Sequence, residues 1–165
     1  MGLFFQDTLV KVVFKDEIIN EDYFKAISSN IKIAILIRDY RFGRAGGSIK
    51  HKYSPSIKIS DYGHGKSNNH TKDGDPVYFF LDESDNLFIK FENEKSFGKK
   101  EKKYVENFIR HNYLNLKNYW YAPDYIKDPN RLFQYQTKIE ERIRSNVINY
   151  NYNQYQGEVD DEIEY

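Results

Sequence analysis

The region from residue 76 to residue 120 constrains the fold most, because its apolar residues change from a two-residue period to a helical one. Two short runs, PVYFFL and LFIKF, lie on either side of the polar segment ESDN. Within each run, successive residues alternate between the two faces of a strand, which is typical of a β-hairpin. After the hairpin, apolar residues recur at helical spacing at Val105, Phe108, Ile109, Leu116, Tyr119 and Trp120. Because two strands are not stable alone, we expect one long amphipathic helix over residues 99–120 to cover their apolar face.

Further strand patterns precede the hairpin and define the expected fold class. Residues 9–14 are strand-like, and residues 31–37 alternate in the manner of a half-buried strand. Pro55 divides the next apolar region into two short strands or a broken edge strand. These patterns predict an α+β fold, with a small antiparallel or mixed sheet of five or six strands packed on one side by the long helix.

The C-terminal part of the chain is expected to add a helix and a tail. Turns are expected at residues 122–124 and 128–130, and Pro129 suits the first position of a second helix. The narrow apolar stripe of that helix either docks on the domain's own core or meets a partner helix. We therefore divide the chain into an α+β domain over residues 1–121, a C-terminal helix over 122–148, and a tyrosine- and asparagine-rich acidic tail over 149–165.

Composition and spacing argue against several kinds of catalytic site. The chain has no cysteine, which excludes disulfides, zinc–thiolate sites and thiol catalysis. The segment GKS at residues 65–67 lacks the upstream glycine of a phosphate-binding loop, because that position is Ser60. His64 and His70 lie among aspartates, but their spacing matches no helical pair of metal ligands. With no nucleophile motif or paired carboxylates either, we expect a non-enzymatic protein without a metal or cofactor.

Charge is unevenly distributed along the chain, although the formal net charge is zero. Cations interleave with the aromatic residues Tyr40 and Phe42, a composition that suits stacking on bases and contact with phosphates. The candidate nucleic-acid-binding residues are Arg38, Arg41, Arg44, Lys50 and Lys52. In the alternative interpretation, the aromatic rings pack inward and the cations form a solvated strand edge. No apolar run approaches the roughly 18 residues of a membrane span, so we expect no contact with a membrane.

A second cationic segment and the acidic tail are candidate partner-binding regions. The lysines at the start of the long helix are unfavourable to its dipole, which suggests that they meet an acidic partner. The tail combines five carboxylates with tyrosines of the kind enriched at protein interfaces. It is expected either to lie on a neighbouring copy or to remain an unbound, solubilising tail. The candidate partner-binding residues are Tyr150, Tyr152, Tyr155, Tyr165, Lys99, Lys100 and Lys103.

Three segments together resemble a known family. The motif YRF at residues 40–42, the motif SPSIK at residues 54–58, and Asn112 followed eight residues later by Trp120 resemble short bacterial proteins of unknown function found beside toxin–antitoxin-like genes. In that family a Tyr-Arg strand precedes Pro-Pro-His-x-His. Ser56 and Lys58 stand here in place of the two histidines. The resemblance covers residues 38–120 and implies an α+β fold rather than a histidine chemistry.

Two functional hypotheses follow from the sequence. The first is a structural or assembly protein, acting as a homo-oligomer that contacts neighbouring subunits through its C-terminal tail. The abundance of tyrosine, asparagine, lysine and isoleucine is typical of AT-rich genomes, so this hypothesis includes a phage virion component. The expected location is the cytoplasm or, if the protein is phage-encoded, the virion. The alternative is a small bacterial regulator or toxin–antitoxin partner that binds nucleic acid.

Overall fold

The computed structural model describes residues 10–15, 33–41, 55–61, 75–93 and 97–146. Among these residues, five strands precede three helices. The strands are β1 (Val10–Phe14), β2 (Ile33–Ile37), β3 (Ser56–Asp61), β4 (Asp75–Leu81) and β5 (Leu87–Phe91). The helices are α1 (Lys99–His111), α2 (Tyr113–Tyr125) and α3 (Pro129–Ser145). The predicted α+β fold, with a small mixed sheet and a C-terminal helix, is confirmed.

The five strands form one sheet in the order β1-β2-β3-β4-β5. The strands β1 and β2 are parallel, and every other neighbouring pair is antiparallel. The register places Val12 beside Ile35, Ile35 beside Ile59, and Phe79 beside Ile89. Because side chains alternate along a strand, these residues share one face, which the helices cover to form the core.

The strand β2 is buried on both faces, whereas the sequence pattern predicts a half-buried strand. Its five residues are all apolar, and Ala34 and Leu36 on the second face are as buried as Ile33, Ile35 and Ile37 on the first. Lys32 and Arg38 flank this run and suggested a polar face. The uninterrupted run IAILI is instead the composition of an interior strand that is covered on both sides.

The hairpin of β4 and β5 closes through the side chain of Asp82. Its Oδ1 accepts hydrogen bonds from the backbone amides of Ser84 and Asn86, each at 2.8 Å. Asp85 occupies the left-handed region at φ 61°, which aspartate tolerates better than most residues. These two hydrogen bonds and the left-handed conformation of Asp85 therefore stabilise the turn between β4 and β5.

The predicted helix over residues 99–120 is two helices, which is a correction to the sequence prediction. Asn112 separates α1 from α2 with φ −120° and ψ 17°. Its side-chain Nδ2 donates to the carbonyl of Phe108 at 2.9 Å, in competition with the regular helix bonds. Asn146, just after α3, donates to Asn112 Oδ1 at 3.5 Å. The fully buried side-chain amide of Asn112 therefore lies where one helix ends and the next begins, although apolar periodicity alone predicts a single helix.

The turn expected at residues 122–124 is also wrong, because Pro123 lies inside α2. Proline lacks the amide that would donate to the carbonyl of Tyr119, four residues earlier. Gln136 of α3 donates its Nε2 to that carbonyl at 3.5 Å. The proline thus leaves a backbone acceptor available to a neighbouring helix.

The helix α3 begins as the sequence predicts, with Pro129 at its start and Asp128 as N-cap. The Asp128 carboxylate accepts a hydrogen bond from the Arg131 amide at 2.9 Å. Its apolar stripe, formed by Leu132, Tyr135, Ile139 and Ile143, belongs to the same core as the sheet. The helix therefore docks on the chain's own core, which is the first of the two alternatives considered above.

Candidate functional site

A polar cluster lies where the parallel strands β1 and β2 end. We call it the Asp39 cluster, and it comprises Lys15, Asp39, Arg41, Tyr119 and Gln136. Lys15 follows β1 and Asp39 follows β2, so the parallel pairing brings both to the same edge of the sheet. In open α/β sheets, ligands commonly bind at the carboxyl ends of parallel strands, so the carboxyl ends of β1 and β2 are a candidate site.

The carboxylate of Asp39 is 1% exposed and is surrounded by donors. The Arg41 amide donates to Oδ1 at 3.0 Å, and the Arg41 guanidinium donates to Oδ2 at 3.3 Å. Gln136 Nε2 donates to Oδ2 at 3.0 Å, and Lys15 Nζ lies 3.9 Å from the same oxygen. Both carboxylate oxygens are thus engaged within the chain, so the cluster fastens the end of β2 to α3.

Tyr119 extends this cluster toward α3. The Lys15 ammonium lies 5.6 Å from the Tyr119 ring centroid, within the range of a cation–π contact. The Tyr119 hydroxyl donates to Glu140 Oε2 at 2.7 Å. The sequence did not identify Asp39 or Gln136 as site residues. The one available signal was that Asp39 is the only acid among the cations of residues 38–58.

Two of the five candidate nucleic-acid-binding residues belong to the described part of the chain. Arg38 donates to Ser56 Oγ at 3.0 Å, and its guanidinium carbon lies 5.8 Å from the Trp120 ring centroid. Arg41 contacts Asp39, although its side chain is 46% exposed. The interleaved Tyr40 donates its hydroxyl to Asp124 at 3.0 Å, so this ring is held against α2. These residues have structural partners within the chain.

The cations at the start of α1 lie beside the end of β5. Lys99, Lys100 and Lys103 are exposed, and we call them the α1 lysines. The neighbouring Lys102 places its ammonium 5.3 Å from the ring centroid of Phe91, the last residue of β5. The α1 lysines therefore border the terminal strand of the sheet.

The outer face of the hairpin carries an exposed aromatic pair. Phe80 and Phe88 are opposite each other in the register and are 45% and 51% exposed. Their rings stack with centroids 5.8 Å apart and an interplanar angle of 11°. Tyr78 and Lys90 form the next pair on this face. The signal in the sequence was the placement of phenylalanine at the positions of the alternation that face away from the core.

Several predicted site residues lie outside the described part of the chain. They are Arg44, Lys50, Lys52, Tyr150, Tyr152, Tyr155 and Tyr165, and the two histidines considered above, His64 and His70, lie outside it as well. Within the described residues, no group of three histidine or acidic side chains is arranged to hold a metal ion. Among those same residues, no helix has the length and apolarity needed to cross a membrane.

Comparison of the chain with family models, curated proteins and solved structures gave no match. The resemblance to the short bacterial proteins described above therefore stays a prediction.

Proposed function

We propose that this chain is a non-enzymatic structural protein that assembles with further copies of itself. The contact is made through the outer face of the hairpin of β4 and β5, which is the face opposite the core. The observation that carries this proposal is the stacked pair of Phe80 and Phe88, each of which is about half exposed on the outer face of the sheet. Exposed aromatic side chains held by a scaffold are typical anchors of protein interfaces. Such an assembly protein would act in the cytoplasm or, if phage-encoded, in the virion.

A second copy is the partner that the charges favour. The tail carries Glu158, Asp160, Asp161, Glu162 and Glu164 without a cation, while Lys90 and the exposed α1 lysines flank the hairpin. Surfaces of opposite charge on one chain are complementary when two copies meet. The tail tyrosines and the α1 lysines are accordingly the proposed partner-binding residues.

The nucleic-acid alternative has less support from the described residues. Arg38 and Arg41 bind Ser56 and Asp39 within the chain, which limits their reach toward a phosphate. This alternative predicts binding to a single-stranded oligonucleotide that weakens steeply as salt is raised. Such binding by a chain that remains monomeric would replace the assembly proposal.

Light scattering on the full chain over a range of concentrations tests the assembly proposal. We expect a defined oligomer, and we expect Phe88→Ser to raise its dissociation constant by about tenfold or more, as for an aromatic residue in an interface. Phe133→Ser is the matched control, because Phe133 on α3 is 64% exposed and lies outside the hairpin. A chain that is monomeric at all concentrations, or equal effects of the two variants, would contradict the proposal.

A further inference from the structure

The strand β5 is an open edge of the sheet among the described residues. The Asp82 amide donates to the Asn86 carbonyl, and the Glu92 amide donates to the Pro76 carbonyl. The even-numbered residues of this strand therefore direct their backbone groups toward β4. The backbone groups of the odd-numbered residues, Leu87, Ile89 and Phe91, consequently point away from the sheet.

Both faces of β5 are incompletely covered next to that edge. Leu87 and Ile89 lie on the core face but are only half-buried, and Phe88 on the outer face is exposed. An additional strand would bind the outward backbone groups and cover apolar side chains on both faces at once. Addition of an extended segment to such an edge is a common mode of recognition.

The beginning of the C-terminal tail has the sequence pattern of a strand. Ile148, Tyr150 and Tyr152 alternate with three asparagines, at the two-residue period that gives a strand two different faces. The five carboxylates of the tail follow this alternating segment. The tail thus combines a segment able to pair with an edge and an acidic segment able to contact cations.

We propose that residues 148–153 of a neighbouring copy add to the open edge of β5 as a parallel strand. This inference rests on the proposed self-assembly and specifies its contact. The direction follows from charge. A parallel tail continues past Phe91 toward the α1 lysines, whereas an antiparallel tail would bring its carboxylates to the hairpin turn, which contains Asp82, Glu83 and Asp85.

The reach of the tail is compatible with this arrangement. With Asn151 opposite Ile89, Tyr150 lies beside Phe88 and Tyr152 lies beside Lys90, on the outer face. The five residue-to-residue steps from Asn153 to Glu158 then span at most about 17 Å. The ammonium of Lys102 is 5.3 Å from the Phe91 ring, and Lys99 and Lys103 lie within about one helical turn of Lys102. The carboxylates can therefore reach the α1 lysines.

Parallel pairing also determines which tail amides face β5. In a parallel ladder, consider a residue of β5 whose backbone N–H and C=O point toward the added strand. These groups form hydrogen bonds with the two residues of the added strand that flank the directly opposite residue. Ile89, opposite Asn151, therefore bonds to Tyr150 and Tyr152. The amides of Asn149, Asn151 and Asn153 point away from the sheet.

Competition by synthetic peptides of residues 147–165 tests this proposal on the full-chain oligomer. We expect the unmodified peptide to dissociate the oligomer in light scattering. N-methylation of the Tyr150 or Tyr152 amide should weaken that competition by about tenfold or more, because it removes a donor and leaves a carbonyl of β5 unpaired. N-methylation of Asn149 or Asn151 adds the same methyl group on the other side and should leave competition nearly unchanged.

Each other outcome has a definite meaning. Sensitivity at the asparagines instead of the tyrosines would overturn the proposed parallel arrangement, in which the tyrosines lie on the outer face. Competition without alternation would show docking by side chains and overturn strand addition. An oligomer that no peptide dissociates would overturn this inference and leave the proposed self-assembly standing. A chain that is always monomeric would refute both.

A variant of β5 provides a second measurement. Ile89→Pro removes an outward amide donor, a change that edge strands tolerate, and Ile89→Ala keeps the donor while removing the side chain. We expect the proline variant to lose the oligomer more completely than the alanine variant, provided that circular dichroism shows both to be folded. Equal loss in the two folded variants would count against pairing through the backbone of β5.

Discussion

Replacing Asp39 by alanine tests whether the buried carboxylate holds the end of β2 against α3. The substitution removes the acceptor for Gln136 Nε2 and for the Arg41 amide, each at 3.0 Å. It also removes the carboxylate that lies 3.9 Å from the ammonium of Lys15, whose side chain is 11% exposed. The hydrogen bond to Gln136 joins residues that are 97 positions apart in the chain.

The expected cost follows from burial and from the number of donors. Removing one partner of a buried ion pair costs about 3 to 5 kcal/mol. We expect about 3 kcal/mol, at the lower end, because Arg41 is 46% exposed and water can replace its partner. In a chain of this length, 3 kcal/mol lowers the melting temperature by about 6 to 12 °C. Asp39→Asn keeps one acceptor and should cost about half as much, since bonds to a neutral acceptor are weaker.

Denaturant unfolding followed by tryptophan fluorescence measures this cost. The chain has one tryptophan, Trp120, which is 2% exposed and therefore reports on burial in the core. Asp124→Ala is the control, because the Asp124 carboxylate accepts a hydrogen bond from the neutral hydroxyl of Tyr40, the loss of which should cost about 1 kcal/mol. In a double-mutant cycle, Asp39→Ala and Gln136→Leu should couple by about 1.5 kcal/mol or more. Additive effects, or a cost of Asp39→Ala no larger than that of Asp124→Ala, would refute the fastening role.

Two further predictions concern a helix cap and a tyrosine. Asp128→Ala should lower the free energy of unfolding by about 1 kcal/mol, because the Arg131 amide loses its cap, and Asp128→Ser should restore most of it; equal losses would contradict a capping role. Burial raises the pKa of Tyr113 above its ordinary value of 10.0, so the unfolded chain releases this proton first and stability falls as pH rises above 10.0. Tyr113→Phe should therefore lose less stability between about pH 8 and about pH 11 than the parent chain, in denaturant unfolding at each pH; an equal loss would show that Tyr113 does not contribute.

Buried polar side chains make several of the contacts between the elements of this fold. Asp39 connects β2 with α3, and Asn112 connects the junction of α1 and α2 with Asn146 after α3. Each of these groups is almost fully buried and has its hydrogen bonds within the chain. Because unpaired polar groups are costly in a core, such contacts specify one relative arrangement of the helices and the sheet.

The sequence determined the features that depend on neighbouring residues. The hairpin of β4 and β5 follows from two alternating runs and a polar turn, and the start of α3 follows from Asp128 and Pro129. These elements are local, so their patterns were sufficient to predict them. The α+β class followed from the same patterns, because a hairpin with one apolar face requires a covering helix.

Only the tertiary structure decided how these elements meet. Apolar periodicity continues through Asn112, and it is the buried contacts of that residue that divide the predicted helix. Pairing of β1 with β2 in parallel brings Lys15 to Asp39, and no local pattern encodes a contact between strands so far apart in sequence. The exposure of Phe88 likewise depends on which face of the sheet the helices cover. Long-range packing therefore determined the polar cluster and the candidate interface, because both depend on contacts between distant segments.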